Sequence, residues 1–347
     1  MPEVLNVPTR HQAPPPPGRR GWRIVFVVFT LFTLVVLGSA AVFVFNLSQS
    51  FESVEKIPDA FPADDAARPA AATGAAATAL NFLLLGSDSR GSSTGSIANL
   101  SGQRSDTIVV VHVPADRQSL SVMSIPRDSW LEVPGFGDAK INAALAYGGV
   151  PLAVQTVEGV LGARIDHVAV VDFAGFAAMT DALGGVDIDN PIAFDAYHLE
   201  GHTFPQGVQH LDGTEALAFA RERYAFTDGD FQRVRNQQLL IRALLSGLMQ
   251  KSVLASPATM GGVVEAVSPN LAIDEELSAT DLVSLGVELR EVREGDVSFF
   301  TIPTTGTGTS ADGQSIVNLD WTALPALQEA YRSDTVAAVV RPLQAAG

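Results

Sequence analysis

A chain of 347 residues with a formal net charge of −16 can bury a full core in one or two domains. Its acidic balance argues against binding bulk nucleic acid, which needs a basic footprint. It has no cysteine, so disulfides, thiol catalysis and cysteine-ligated metal sites are excluded.

The first 23 residues, with Pro14–Pro17, read as a disordered tail of polyproline character. Ile24–Phe45 is an uncharged, mostly apolar run. As a helix it would span roughly 33 Å, enough for the hydrocarbon core of a bilayer. Arg10, Arg19, Arg20 and Arg23 precede it, and Glu52, Glu55, Asp59, Asp64 and Asp65 follow. The positive-inside rule puts the tail in the cytoplasm and everything after Phe45 outside. A cleaved signal peptide is the alternative, but its apolar region is usually about 7–15 residues. The reading is a single-pass cell-membrane protein. Residues 46–79 are expected to form an extracytoplasmic linker, because their second half is rich in Ala, Pro, Asp and Thr and poor in packing residues. Order is expected from Leu80.

From there strands and helices alternate. Asn81–Gly86 and Thr107–Val113 are continuous apolar runs, as in buried central strands. Leu120–Ile125 alternates and stops at Pro126. A helix is predicted over Val150–Leu161, ended by Gly162, then a strand at His167–Val171 and a helix over Asp172–Leu183, ended by Gly184-Gly185. Asp212 with Glu215 reads as a capping box opening a helix through Ala220. Phe231–Lys251 is the longest helix of this part, with Asp230 as its expected N-cap and Val234, Ile241, Leu245 and Leu248 as its core stripe. Val297–Ile302 and Leu324–Arg332 close the pattern. The class is α/β: a central mixed sheet covered by helices on both faces, preceded by one transmembrane helix. The domain is set at 80–335, with 336–347 as a C-terminal tail.

Arg221, Arg223, Arg233 and Arg235 fall within fifteen residues of an acidic chain. Guanidinium forks match phosphate and carboxylate oxygens, so this clustering points to an anion. Asp88 directly follows one buried strand and Asp106 directly precedes the next, each with an arginine nearby, Arg90 and Arg104. Two such carboxylates suit Mg²⁺ and a phosphate; the plainer reading is two turn-capping aspartates. Arg127 emerges after Pro126 at the same edge, where it can equally pair with Asp128. Asp230, Arg233 and Gln237 share one face of the long helix. A cation at a helix N-terminus works against the dipole, which makes sense if an anion sits between them. His198, His202 and His210 read as surface residues of a polar loop.

In order, GSDSR, RSDTIVVVHV, SIPRDSW, KINAALAYGG, QTVEGVLG, IDHVAVVDFAGF, DALGGVDI, LDGTEALAFARER and GDFQRVRNQQ resemble the LytR-CpsA-Psr family of cell-wall ligases, over about Leu80–Leu248. The later VSFFTIPTTGTGTSADGQSIVNLD is similar to the closing strand of actinobacterial members. The resemblance implies a phosphotransferase that takes a glycopolymer from polyprenyl pyrophosphate and joins it through a phosphodiester to the muramic acid of peptidoglycan. It implies pyrophosphate binding by Arg90, Arg104, Arg127, Arg221, Arg223, Arg233 and Gln237, and a metal, Mg²⁺ or Mn²⁺, on Asp88 and Asp106. Arg127, Arg221 and Asp230 are the candidate catalytic residues, with Asp88 as the other candidate to orient the attacking hydroxyl. Asn236 stands where many relatives carry arginine, and Arg235 points about 100° away from that position. The implied lipid pocket is apolar, between sheet and helices, with Val150–Leu161 and Phe173–Leu183 as candidate walls. The expected partners are the lipid-linked glycopolymer, peptidoglycan and the membrane, with no nucleic acid. A pyrophosphate hydrolase and a non-catalytic lipid-glycan binder are the alternatives.

Overall fold

The computed structural model describes residues 51, 54–87, 97–98, 105–227, 229–250 and 257–344. The predicted tail and membrane span, and Asp88, Arg90 and Arg104, lie outside them. Strands β2 (Leu80–Ser87) and β3 (Ser105–Val113) pair antiparallel at the centre of a seven-stranded mixed sheet. On one side lie β4 (Leu120–Ile125) and β13 (Val297–Thr301). On the other lie β7 (His167–Asp172), β12 (Leu271–Asp274) and β1 (Glu55–Ile57). The strands read as nearly continuous apolar runs because both faces are covered.

Strand alternation divides those faces. Leu83, Leu85, Ile108, Val110, Met123 and Val168 point to one core, shared with helices α1 (Ala143–Leu161), α7 (Leu324–Arg332) and α8 (Val336–Gln344). Phe82, Leu84, Val109, Val111, Val122 and Phe299 point to the other, shared with Ile241 and Leu245 of α4 (Gly229–Leu248) and Leu285 of α6 (Ala279–Glu288). A one-residue slip in register would exchange the two sets. Helices α2 (Phe173–Ala182) and α5 (Pro257–Val267) pack together, α2 following directly on β7. Capped by Asp212 and Glu215 as the sequence predicts, α3 (Gly213–Arg221) packs on α4.

A second sheet, invisible in the sequence reading, joins β5 (Ser129–Val133), β6 (Gly137–Lys140), β14 (Thr304–Thr309) and β15 (Ser315–Leu319). Two ribbons, β8 (Val186–Asn190) with β11 (Gly207–Leu211) and β9 (Phe194–Asp195) with β10 (Thr203–Phe204), cover a satellite core around Phe194, Phe204 and Phe219.

Three boundaries need correction. Residues 54–79, expected as a linker, pack onto the domain. Val54, Ile57, Ala60 and Ala76 are buried, and β1 adds a parallel strand beside β12. Arg68 ties the segment down through a 2.6 Å bond to Glu158, which is fully buried. The expected tail from 336 forms α8, because Val336 and Val340, one turn apart, are buried at 1% and 0% exposure. Helix α1 starts seven residues earlier than predicted, with a kink at Gly148-Gly149 whose non-helical dihedrals broke the pattern the sequence reading relied on. It is apolar and long enough to cross a membrane, yet it is a core helix with most of its residues buried.

Candidate active site

The strand directions bring one set of ends together. Ser87, at the end of β2, is opposite both Asp172, the end of β7, and Ser105, the start of β3. On the other side, Ile125 of β4 is opposite Ile108, and Thr301 of β13 is opposite Ser124. In α/β sheets the carboxyl ends of the strands are where ligands sit. Asp106 occupies a bulge at this edge: Gly86 pairs with Thr107 and Ser87 with Ser105, which leaves Asp106 as the extra residue. Bulges re-aim side chains and are frequent beside active sites. Gly86 is needed here, because a Cβ would lie 2.8 Å from the Thr107 Cβ.

Arg127, just past β4, donates from Nη1 to the Asp106 carboxylate. Its Nε lies 3.5 Å from Asp128, which also takes Lys140 Nζ at 2.9 Å. The sequence left Arg127 open between a site role and pairing with Asp128; the structure gives it both Asp106 and Asp128. Asp106 pairs with Arg127 rather than serving as a local turn cap. Its side chain remains 24% exposed, so part of the carboxylate faces outward.

Next to Asp106, Thr107 lines a narrow apolar cleft with Phe173, Phe176, Leu217, Ala220, Arg221, Gln237, Leu240 and Ile241. The Arg221 guanidinium stacks over the Phe173 ring at 4.6 Å, which sets a cation at the lip of an apolar wall. Phe173 stands there because Asp172 caps α2 directly after β7, accepting from the Gly175 N–H at 2.8 Å. Of the two predicted pocket walls, the Phe173–Leu183 helix contributes. Val150–Leu161 does not: α1 packs on the opposite sheet face, and its apolar spacing serves the core. Leu217, Ala220, Leu240 and Ile241 were missed. Their signal was present, since Leu217, Ala220 and Arg221, and Gln237, Leu240 and Ile241, each follow i, i+3, i+4 spacing.

The arginine segment divides on inspection. Arg233 is buried at 6% exposure, which rules out a solvated basic face there. Gln237 lines the cleft. The long helix opens at Gly229, so Asp230 lies in its first turn rather than at the N-cap. The core face of α4 is centred on Val234, Leu240, Ala243 and Leu244, with Ile241 and Leu245 half-buried. Arg235 folds back to Gln232 Oε1, at 2.9 Å and 2.6 Å. Asn236 is fully buried and donates to the Phe219 carbonyl at 3.1 Å, tying α4 to the end of α3. Arg223 lies over the Tyr224 ring and donates to its hydroxyl at 2.6 Å. Sequence reasoning also passed over Glu222. Its buried carboxylate accepts the N–H groups of Arg223, Tyr224, Ala225 and Tyr197, and so holds the turn after Arg221. Of the three histidines expected in a polar loop, His198 is exposed, and His210, also exposed, lies in β11 and bonds Asp187 of the facing strand at 2.8 Å.

Among the described residues no three His, Asp or Glu side chains cluster as a metal centre. A divalent ion here would rest on one or two carboxylates and take its remaining oxygens from phosphate and water, which is the habit of Mg²⁺. The partly open Asp106 carboxylate fits that donor set.

The protein is an α/β domain with an arginine-lipped apolar cleft at the carboxyl edge of its central sheet. Residues 43–333 match the LytR_cpsA_psr family, and the chain belongs to it. It is 32% identical over 284 residues to the cell wall biosynthesis protein LcpA of Corynebacterium glutamicum, covering 71% of this chain and 54% of that protein. It is 29% identical over 327 residues to the polyisoprenyl-teichoic acid–peptidoglycan teichoic acid transferase TagU of Enterococcus faecalis, covering 91% and 97%. The chain thus spans about half the length of the corynebacterial relative and nearly all of the enterococcal one. The B. subtilis TagV structure superposes with a TM-score of 0.63 at 27% identity, over 74% of this chain and 97% of that one. The LytR-Csp2A-Psr enzyme from Actinomyces oris, at 23% identity and a TM-score of 0.58, shares the fold.

Proposed function

We propose that this protein is a membrane-anchored phosphotransferase that moves a glycopolymer from a polyprenyl-pyrophosphate carrier to the muramic acid of peptidoglycan. The supporting observation is the apolar cleft with Arg221 at its lip, one residue along β3 from the Arg127–Asp106 pair. The cleft takes the start of the isoprenoid chain, and the cations meet the pyrophosphate. The name of the enterococcal relative, a polyisoprenyl-teichoic acid–peptidoglycan teichoic acid transferase, supports the same reading. The apolar run 24–45 anchors the chain with its N-terminus in the cytoplasm and its catalytic domain outside. The polymer can be a teichoic acid, a capsule or an arabinogalactan.

In the reaction, an acceptor hydroxyl oxygen attacks the phosphorus nearer the sugar. A new P–O bond forms, the bridging P–O bond breaks, and polyprenyl phosphate leaves with the bridging oxygen. The hydroxyl proton passes to a carboxylate base, with Asp88 and Asp230 the candidates. Arg127 and Arg221, joined by Arg90, Arg104, Arg223 and Arg233, neutralise the pyrophosphate and the charge that develops on the leaving oxygen. Asp106 and Asp88 would hold Mg²⁺ or Mn²⁺, which supplies further charge neutralisation when bound. Arg127, donating to Asp106, orients that carboxylate.

The test is reconstitution of the full chain in vesicles with lipid-linked glycan, Mg²⁺ and purified sacculi. Glycan should become covalently attached to the sacculi, and a chelator should stop it. Release of free glycan phosphate with sacculi present would make the protein a hydrolase.

A further inference from the structure

Tyr197 and Tyr224 are exposed at 68% and 56%, yet they are not scattered. Their rings lie 4.5 Å apart at a tilt of 48°. His198 meets Tyr197 edge-on at 5.3 Å, and the Arg223 guanidinium lies over the Tyr224 ring, 4.6 Å from its centre. Single exposed aromatics need no explanation, but a contiguous aromatic surface rimmed by polar groups marks a binding site.

The surface is held in place. One Glu222 oxygen accepts the Tyr197 N–H at 2.7 Å and the other accepts the Tyr224 N–H at 2.8 Å. A single buried carboxylate therefore fastens both tyrosine-bearing segments together, so the rings lose little freedom on binding. The surface also continues the site already described. Phe173 and Leu240 wall the apolar cleft, Arg221 caps it, and Arg223 and Tyr224 follow directly along the chain. Tyr224 is three positions along the chain from Arg221, a reach of at most about 11 Å.

We propose that Tyr197 and Tyr224, flanked by His198 and Arg223, form a saccharide platform that receives the first sugars of the lipid-linked donor. This rests on the functional reading above. A pyranose ring has an apolar C–H face and a rim of hydroxyls. The face packs on an aromatic ring, and the rim takes hydrogen bonds from the neighbouring guanidinium, phenol and imidazole. The order cleft, arginine, aromatic platform repeats the order lipid, pyrophosphate, sugar in the donor, which assigns the surface to the donor glycan.

The experiment uses the full chain and two soluble lipids, farnesyl pyrophosphate and farnesyl pyrophosphate carrying one N-acetylglucosamine, with calorimetric binding to each. The unaltered protein should bind the sugar-bearing lipid about three- to tenfold more tightly. Tyr197→Ala, which leaves the Arg223–Tyr224 contact in place, should lose most of that preference and keep its affinity for farnesyl pyrophosphate. Its side chain is exposed, so the fold is retained. Equal affinity for the two lipids in the unaltered protein, or a preference that survives in the variant, overturns the platform alone. A variant that keeps the donor preference but loses binding to soluble muropeptide oligomers overturns the assignment and gives the surface to the acceptor. If the unaltered protein binds neither lipid, the functional reading falls and the platform with it.

Discussion

Replacing Arg221 by alanine isolates the lip of the cleft. Its guanidinium stacks on Phe173 at 4.6 Å, a contact worth about 0.5–1 kcal/mol where partly exposed. In the proposed function that stack orients the donor fork toward the pyrophosphate. A charge-assisted contact to phosphate contributes about 1.5–3 kcal/mol. At about 1.4 kcal/mol per tenfold, transfer should slow roughly 10- to 150-fold. Arg221→Lys should recover little, because an ammonium neither stacks as a plane nor bonds in a bidentate way. Phe173→Leu, which keeps the arginine and removes its stack, should cost about two- to fivefold. Arg242→Ala is the control. Arg242 lies over Phe299 at 4.7 Å on an exposed part of α4, so its loss should cost at most about 1 kcal/mol of stability and leave transfer unchanged. The assay is the initial rate of glycan attachment to sacculi at saturating Mg²⁺, with thermal melts to verify folding. Wild-type transfer by Arg221→Ala would refute the proposed pyrophosphate contact.

Arg68→Ala strands the fully buried Glu158 carboxylate and should destabilise the domain by about 3–5 kcal/mol in denaturant titration; a loss below about 0.5 kcal/mol would return residues 54–79 to linker status. Asp106→Ala should weaken Mg²⁺ or Mn²⁺ binding in calorimetry with little change in melting temperature. Unchanged metal affinity would leave Asp106 only its pairing with Arg127. The His167–Asp274 pair, 3.3 Å apart, gives a pH signature. Burial opposes the charged His167 ring most strongly, but the hydrogen bond and charge of Asp274, together with the charges of Asp166 and Asp281, outweigh it and hold the imidazole above its ordinary value. Burial likewise raises the Asp274 carboxyl, while the bonds from His167 and the Val168 N–H bring it below its ordinary value. The histidine's contribution is therefore present below about pH 6.5 and is lost as pH rises through its elevated folded value. Asp274→Asn should lower the melting temperature more at pH 5.5 than at pH 8.5; an equal loss at both would show that the charge pair contributes nothing.

The central sheet was legible in the sequence because its strands are buried on both faces and read as unbroken apolar runs between Gly, Pro and Asp. Asp172, Asp212 and Gly162 marked helix ends for local reasons that survive in the structure. What escaped notice depends on distant partners. β1 is only three residues long and exists because β12, more than two hundred residues later, offers an edge. The second sheet pairs β5 with β15 across a similar distance. At the site, the arginine cluster was visible as composition. The division of labour was not: Arg235 folds back to Gln232 within α4, while Asn236 turns to the Phe219 carbonyl where α4 packs on α3.

The central claim is attack at the phosphorus nearer the sugar. Two donors, each carrying radioactive phosphorus at one of the two pyrophosphate positions, are incubated in parallel with the reconstituted protein, Mg²⁺ and sacculi. Label at the sugar-side phosphorus should appear in the washed sacculi, and label at the lipid-side phosphorus should remain with polyprenyl phosphate. Sacculi that carry glycan without the sugar-side label would contradict the account, because the glycan would then have been joined without a phosphodiester.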